Sequence, residues 1–259
     1  MSNFITVSSR DNDYIKLVVQ LMKSSKKRRE EGLFVLEGLR LCLDAIENNF
    51  TPEMVFITSS ASEKYSGEIG SLIASSPKTF MIPESLFSKI SDTVTPQGIM
   101  GVFKIPDFNI GCFNGQGRYI ALENLQDPSN LGAVSRTAEA LGISGIILQG
   151  GCDPYSPKSL RASMGALLRI PVFIMDDMFS FFKSREFNVY GAVVNNAKLT
   201  AGSFSFSDRS VVVIGNEANG LSESAIKNCT ETVTIPMKGN SESLNAAVAA
   251  SILMWEMSK

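Results

Sequence analysis

The chain has no histidine. That absence excludes Ser-His-Asp and Cys-His catalytic sites, an HExxH zinc site and any imidazole proton shuttle. Acid–base work must fall to carboxylates, Lys, Tyr, Cys, Arg or the substrate itself. Cysteine is scarce: Cys42, Cys112, Cys152 and Cys229 are scattered through 259 residues with no CxxC or metal-ligand spacing. Unpaired thiols in a reducing compartment are expected, and no metal. No apolar run reaches membrane-spanning length. The opening MSNFITVSSRDNDY lacks the cationic and apolar halves of a leader. A soluble cytoplasmic protein is the expectation. Nor is there an excess of either charge. Lys and Arg number 24 against 26 Asp and Glu, so nothing global points to nucleic acid.

What is present is a hydrophobic fraction of 44%, enough for a sizeable core. The length suits one large domain or two ordinary ones. No internal repeat is visible. The clearest break is IPDFNIGCFNGQG, residues 105–117, rich in Gly, Asn and Pro and without a sustained period. The expected organisation is a small domain over 1–106, a linker over 107–117 and a second domain over 118–259. In the first, helices are expected over 11–23, 38–48 and 83–90, and strands over 34–36, 54–58 and 99–104. In the second, strands are expected over 119–122, 145–149, 171–175, 189–194, 211–214 and 232–235. Helices over 130–141, 157–168, 177–184, 222–228 and 243–257 fall between or after them. Such alternation predicts a largely parallel α/β sheet covered on both faces. Ligands of such sheets bind outside the carboxyl ends of the strands, so the loops there hold the informative residues.

Charge is uneven locally. Residues 1–40 carry eight cations against five acids, and Lys23, Lys26, Lys27, Arg28 and Arg29 lie within seven positions. A solvated helix end and a nucleic-acid contact both fit this run.

Three loops stand out. In Leu122–Leu141 a strand ends, Pro128 and Ser129 prepare a helix, and Leu131, Val134, Ala138 and Leu141 form its buried face. Asn130 lies in the first turn, where free N–H groups favour anions. Arg136 falls off the apolar face. In the second loop an apolar strand runs into GNEANG, residues 215–220. Its glycines permit close backbone approach or positive φ, and Glu217 sits at a strand's carboxyl end. Leu221 stands where a P-loop needs Lys, so that motif is rejected, and GxGxxG is absent. In the third, IPMKGNSESLN leads into an Ala-rich helix on which Leu244, Val248, Ser251, Ile252 and Trp255 recur at helical spacing.

Taken in this order, the loops resemble the three signature motifs of the SpoU (TrmH-like) RNA 2′-O-ribose methyltransferases of the SPOUT superfamily. Asn130 and Arg136 match the first motif. Gly215, Asn216, Glu217 and Gly220 match the second. Ile235, Pro236, Met237, Gly239, Ser243, Leu244 and Asn245 match the third. RASMGAL, residues 161–167, is similar to a further family segment. Residues 10–105, with FVLEGLRLCLDAI, resemble the L30e-like substrate-binding domain of the ribosomal-RNA branch.

The resemblance implies a SPOUT domain with a deep trefoil knot. It implies S-adenosylmethionine as cofactor and a homodimer whose helices pack across the cofactor sites. Gly215, Ile235, Met237 and Leu244 would meet the cofactor's adenine and ribose, with Asn216, Glu217, Gly220 and Asn245 organising the pocket. Arg136 would be catalytic, supported by Asn130, Glu217, Ser243 and Asn245. The partner would be structured RNA, ribosomal before transfer RNA, and Lys26, Lys27, Arg28, Arg29 and Arg40 would contact it. The competing expectations are a non-catalytic RNA-binding or ribosome-assembly protein on the same scaffold, and an unrelated α/β nucleotide-binding enzyme.

Overall fold

In the computed structural model the described residues are 4–106, 113 and 116–259. The expected linker and Cys112 therefore lie almost wholly outside them. The chain divides into two compact units. One falls within Met1–Asp107 and Tyr155–Arg161, the other within Phe108–Pro154 and Ala162–Lys259.

The first unit holds a five-stranded sheet. Its order is β1 (Ile5–Thr6), β4 (Thr79–Met81), β3 (Pro52–Ile57), β5 (Ile99–Lys104) and β2 (Leu33–Glu37). The first three are mutually parallel, and β5 runs antiparallel to both its neighbours. Helix α1 (Asp13–Lys23) buries Ile15, Val18 and Leu21 against Phe56, Phe80 and Met100 of that sheet. Asn12 caps it, its side chain accepting from the Tyr14 N–H at 3.0 Å. Helix α2 (Ser25–Glu31) reads SKKRREE, with no apolar residue, so periodicity does not announce it. It exists because the Ser24 hydroxyl accepts from the Lys27 N–H and Gly32 closes it at φ 64°. Helices α3 (Leu39–Glu47), α4 (Ser59–Lys64), α5 (Gly70–Ser75) and α6 (Glu84–Ile90) complete the unit.

The second unit holds a seven-stranded sheet. Its order is β10 (Leu199–Thr200), β12 (Glu231–Thr234), β9 (Asn188–Ala192), β11 (Arg209–Ile214), β6 (Gly117–Glu123), β7 (Gly145–Gln149) and β8 (Val172–Ile174). Every ladder is parallel, as the alternation of strands and helices predicts. The last long strand, β12, pairs with β9 and not with its chain neighbour β11, so the chain crosses back before its end. Helix α7 (Pro128–Ala140) buries Leu131, Val134 and Ala138 as expected. Its cap is Asp127, accepting from the Ser129 N–H at 2.8 Å, with Pro128 just inside the start.

Two expectations are corrected here. The helix expected over 157–168 is two short pieces, α8 (Pro157–Ala162) and α9 (Ala166–Arg169). Met164 at φ 51° and Gly165 at φ 88° are left-handed and break it. The final helix, α12 (Ala246–Ser258), begins at the Asn245 cap and not at Ser243. Its packed face is Ala247, Ala250, Leu253, Met254 and Met257, while Val248 and Trp255 of the expected seam are about half exposed. Helices α10 (Met178–Ser184) and α11 (Glu223–Asn228) match their expected spans closely.

Candidate active site

The three informative loops meet at the carboxyl ends of β6, β11 and β12. The second is a tight reversal. Asn216 and Gly220 exchange both backbone hydrogen bonds, at 3.0 and 2.9 Å. A Cβ on Gly215 would lie 2.1 Å from the Gly220 carbonyl carbon, so only glycine lets the loop close. The Asn216 side chain holds both ends of the arrangement. Its Oδ1 accepts from the Ala218 N–H at 2.9 Å, and its Nδ2 donates to the Asn124 carbonyl at 2.9 Å.

Glu217 reaches across to the first loop. Its carboxylate accepts from the Asp127 N–H at 2.9 Å, the Gln126 N–H at 3.1 Å and the Asn130 Nδ2 at 3.0 Å. Asn130 is buried, and its Oδ1 accepts from the Asn245 Nδ2 at 3.0 Å. Asn245 in turn caps α12 through Oδ1, accepting from the Ala247 and Val248 N–H groups. The chain Glu217–Asn130–Asn245 thus ties all three motifs together by side chain alone. Burial pushes the Glu217 carboxyl up, but donation from Asp127, Asn130 and Gln126 outweighs it and holds its pKa below the ordinary value of 4.5. Glu217 is therefore an ionised clamp at neutral pH.

A second clamp was not anticipated from the sequence. Glu123, the buried last residue of β6, accepts from the Ser222 N–H at 2.9 Å and the Ser222 hydroxyl at 2.7 Å. Ser222 caps α11 just beyond the GNEANG loop. The only signal was a carboxylate ending an apolar strand, where buried acids need a partner.

The loops after β11 and β12, with the end of β9, enclose a cavity of about 410 Å³. Gly215, Asn216, Glu217, Gly220, Ile235, Met237, Ser243 and Leu244 line it, and Val193, Val194, Ile226 and Leu253 supply apolar walls. Its volume and apolar walls, edged by loop backbone, suit a cofactor of drug-like size. Asn245 is not in its lining. Neither is Arg136, which is exposed on α7 and lines a different cavity of about 670 Å³ with Thr137, Met164, Arg169, Ser251 and Trp255.

The three described thiols do not line the cavity. Burial raises Cys42 and Cys229 to about 12 and Cys152 to about 11, so none is ionised near neutrality.

The expected RNA cations are not brought together as one free cluster. Lys26 pairs with Glu30 at 3.8 Å and Lys27 with Glu31 at 2.6 Å. Arg28 is 4% exposed and donates to the backbone carbonyls of Leu21 and Met22, so its guanidinium serves the fold. Arg29 and Arg40 are exposed.

A parallel α/β sheet with a cavity of cofactor size at its carboxyl edge, beside three mutually bonded loops, defines an α/β protein that binds a small-molecule ligand there. Comparison with known proteins specifies which. Residues 117–255 match the SpoU rRNA Methylase family, and residues 12–101 match the MRM3-like substrate binding domain. An uncharacterized tRNA/rRNA methyltransferase of Synechocystis is 30% identical over 98% of this chain and 94% of its own. A 23S rRNA guanosine 2′-O-methyltransferase of Bacillus subtilis is 27% identical over 91% and 92%. The crystal structure of an AdoMet-bound rRNA methyltransferase from Sinorhizobium meliloti aligns with TM-score 0.83 and 27% identity, covering 98% of this chain and 97% of that one. The chain belongs to the SpoU rRNA methylase family. It is an RNA methyltransferase of the SPOUT fold that uses S-adenosylmethionine.

Proposed function

We propose that the protein methylates a ribose 2′-hydroxyl in ribosomal RNA, in the cytoplasm, as a homodimer. The observation that carries the reading is the Glu217–Asn130–Asn245 chain. It joins the three motifs into one rigid edge around the cavity that Gly215, Ile235, Met237 and Leu244 line. The Bacillus relative's 2′-O-specificity and the substrate-binding domain support ribosomal RNA. Bound S-adenosylmethionine supplies a methyl on a sulfonium, an electrophile with its own leaving group. The protein must align the hydroxyl with that methyl and ease loss of its proton.

Arg136 suits the second task as an electrostatic clamp. An arginine stays protonated, so it does not serve as a free base. Its planar fork can hold the phosphate beside the reacting ribose through two hydrogen bonds and favour the ionised hydroxyl. Asn130 and Asn245 keep the motif edge in place through their mutual hydrogen bond, and Ser243 lines the cavity.

Arg136 lines a different cavity from the cofactor residues of its own chain, and this supports the dimer. Helix α12 has apolar residues on every face: one face packs on α7 and its own sheet, and Val248 and Trp255 on the other are exposed, as is Met164 nearby. A second copy covering that face would bring its own motif edge to Arg136. The return of β12 beside β9 also supports the knot that the family resemblance implies.

The test is incubation with labelled S-adenosylmethionine and RNA from a strain lacking the protein, followed by mapping of the label. Label on a ribose 2′-oxygen of ribosomal RNA is expected. Label on a base rejects the reaction, and label on transfer RNA alone rejects the substrate. Cofactor binding without any transfer favours a ribosome-assembly role on the same scaffold.

A further inference from the structure

The cationic run that stands out in the sequence is split in the structure: Lys26 and Lys27 are each paired one turn ahead with a glutamate, Arg28 is buried, and Lys23 joins cations from elsewhere in the first unit. On the first unit, α1 and α6 flank a shallow cavity of about 320 Å³, and Arg10, Lys16, Lys23 and Lys89 stand around it. All four are exposed. Ile90 and Val19 contribute its apolar floor. Arg10, Lys23 and Lys89 have no ion-pair partner among the described residues. Lys16 meets only Asp11, at 3.7 Å, and that carboxylate is 94% exposed. Asp13 is the other acid at this helix start.

The four cations come from three places in the sequence: the turn before α1, the first and last turns of α1, and the end of α6. Lys16 and Lys23 lie on one face of α1, about 10 Å apart along its axis. A positive strip of that length spans more than one phosphate of a nucleic-acid strand. Cations without an acidic partner among the described residues, as Arg10, Lys23 and Lys89 are, keep their charge available to a polyanion, whereas Lys27, 2.6 Å from Glu31, shares its charge with that carboxylate.

We propose that this α1–α6 patch is the phosphate-binding surface of the substrate-binding domain, with Arg10, Lys16, Lys23 and Lys89 as its contacts. This rests on the RNA-methyltransferase reading. It assigns the contact to a patch that no run of sequence displays. The side chains there are long, single-point or forked donors without a built pocket for a base, so they grip the backbone and set register without reading sequence.

The test compares the full-length protein with two triple variants. One carries Lys16→Gln, Lys23→Gln and Lys89→Gln; the other carries Lys26→Gln, Lys27→Gln and Arg29→Gln. The probe is an unmodified large-subunit ribosomal RNA transcript, titrated over a range of salt. Methyl transfer from labelled S-adenosylmethionine and S-adenosylhomocysteine affinity are measured in parallel. The patch variant should bind RNA at least ~10-fold more weakly at low salt, and its log–log salt slope should fall by about 2 to 3. Its KM for RNA should rise with kcat and S-adenosylhomocysteine affinity unchanged. The second variant should stay within about twofold of wild type. Equal affinity and slope for wild type and patch variant overturn the patch while leaving the enzyme reading intact. Loss of binding in the 26–29 variant alone overturns it in favour of the sequence run. A wild-type protein that neither binds nor methylates RNA overturns the reading and the patch with it. If the patch variant loses only adhesion to phosphatidylserine vesicles, with RNA binding retained, the surface serves a membrane and the proposal falls.

Discussion

Glu217 is the residue on which the site turns, and its role follows from its donors. Two backbone N–H groups and one amide point at a carboxylate whose pKa is lowered below 4.5. A lowered folded pKa means the clamp contributes fully above the ordinary carboxylate value and is lost as pH falls through the lowered one. Cofactor affinity should therefore be flat from pH 6 to 8 and weaken only in the acid range. Calorimetric titration with S-adenosylhomocysteine across pH measures it, and a change in affinity centred near neutrality would contradict the ionised-clamp role. In Glu217→Gln the carbonyl oxygen can keep one donor, but the NH₂ faces another N–H. A charge-assisted bond is worth roughly 1.5–3 kcal/mol, so affinity should fall about tenfold or more with the fold retained. Arg136 predicts the opposite split. Arg136→Lys keeps the charge but loses the fork, so kcat should fall by ~10²-fold while S-adenosylhomocysteine affinity is unchanged. Near wild-type turnover would show that a point charge suffices.

The elements show what the sequence could and could not display. Helix α7 was legible because its cap region, Pro128 and its apolar spacing agree. The strands β6, β7, β9, β11 and β12 were legible as apolar runs ending at polar loops. Helix α12 was legible as a helix, but its packed face was not. With apolar residues all round, spacing alone could not separate the stripe that packs from the stripe left open, and the stripe through Val248 and Trp255 is the open one. The break between α8 and α9 was hidden because Met164, a non-glycine residue, takes the left-handed conformation under tertiary constraint. One consequence is testable. Gly132 on α7 lies so close to the end of α8 that an added Cβ would fall 2.5 Å from both the carbonyl carbon and the Cβ of Ala162. Backbone cannot swing aside as a side-chain tip can. Gly132→Ala should cost about 1–3 kcal/mol by overpacking, despite alanine's better helix propensity. Thermal unfolding measures it, and an unchanged or raised Tm would show that α7 can shift outward.

For the whole molecule, the three motifs were legible in the sequence, yet the structure divides their residues between two cavities. The residues expected to hold the cofactor, except Asn245, line one, and Arg136 lies in the other beside Thr137, Ser251 and Trp255. If Arg136 acts on RNA held at the cofactor cavity of a second copy, the catalytic centre is shared, and neither chain alone completes it. Two defective proteins can then rescue each other. Arg136→Ala leaves the cofactor cavity intact, and Leu244→Arg blocks that cavity while leaving Arg136 in place. Each homodimer is inactive. Mixed one to one and allowed to exchange subunits, half of the dimers are mixed. In those, one of the two sites combines an intact cavity with an intact arginine. Recovery of about a quarter of wild-type methyl transfer is expected. A centre contained in one chain gives no recovery at any mixing ratio, because every chain carries a lesion. Trp255→Glu in the same assay places a charge on the open face of α12. It should lower the sedimenting mass to that of one chain and remove methyl transfer, while the cavity still binds S-adenosylhomocysteine. A protein that remains dimeric and active after that change pairs through some other surface.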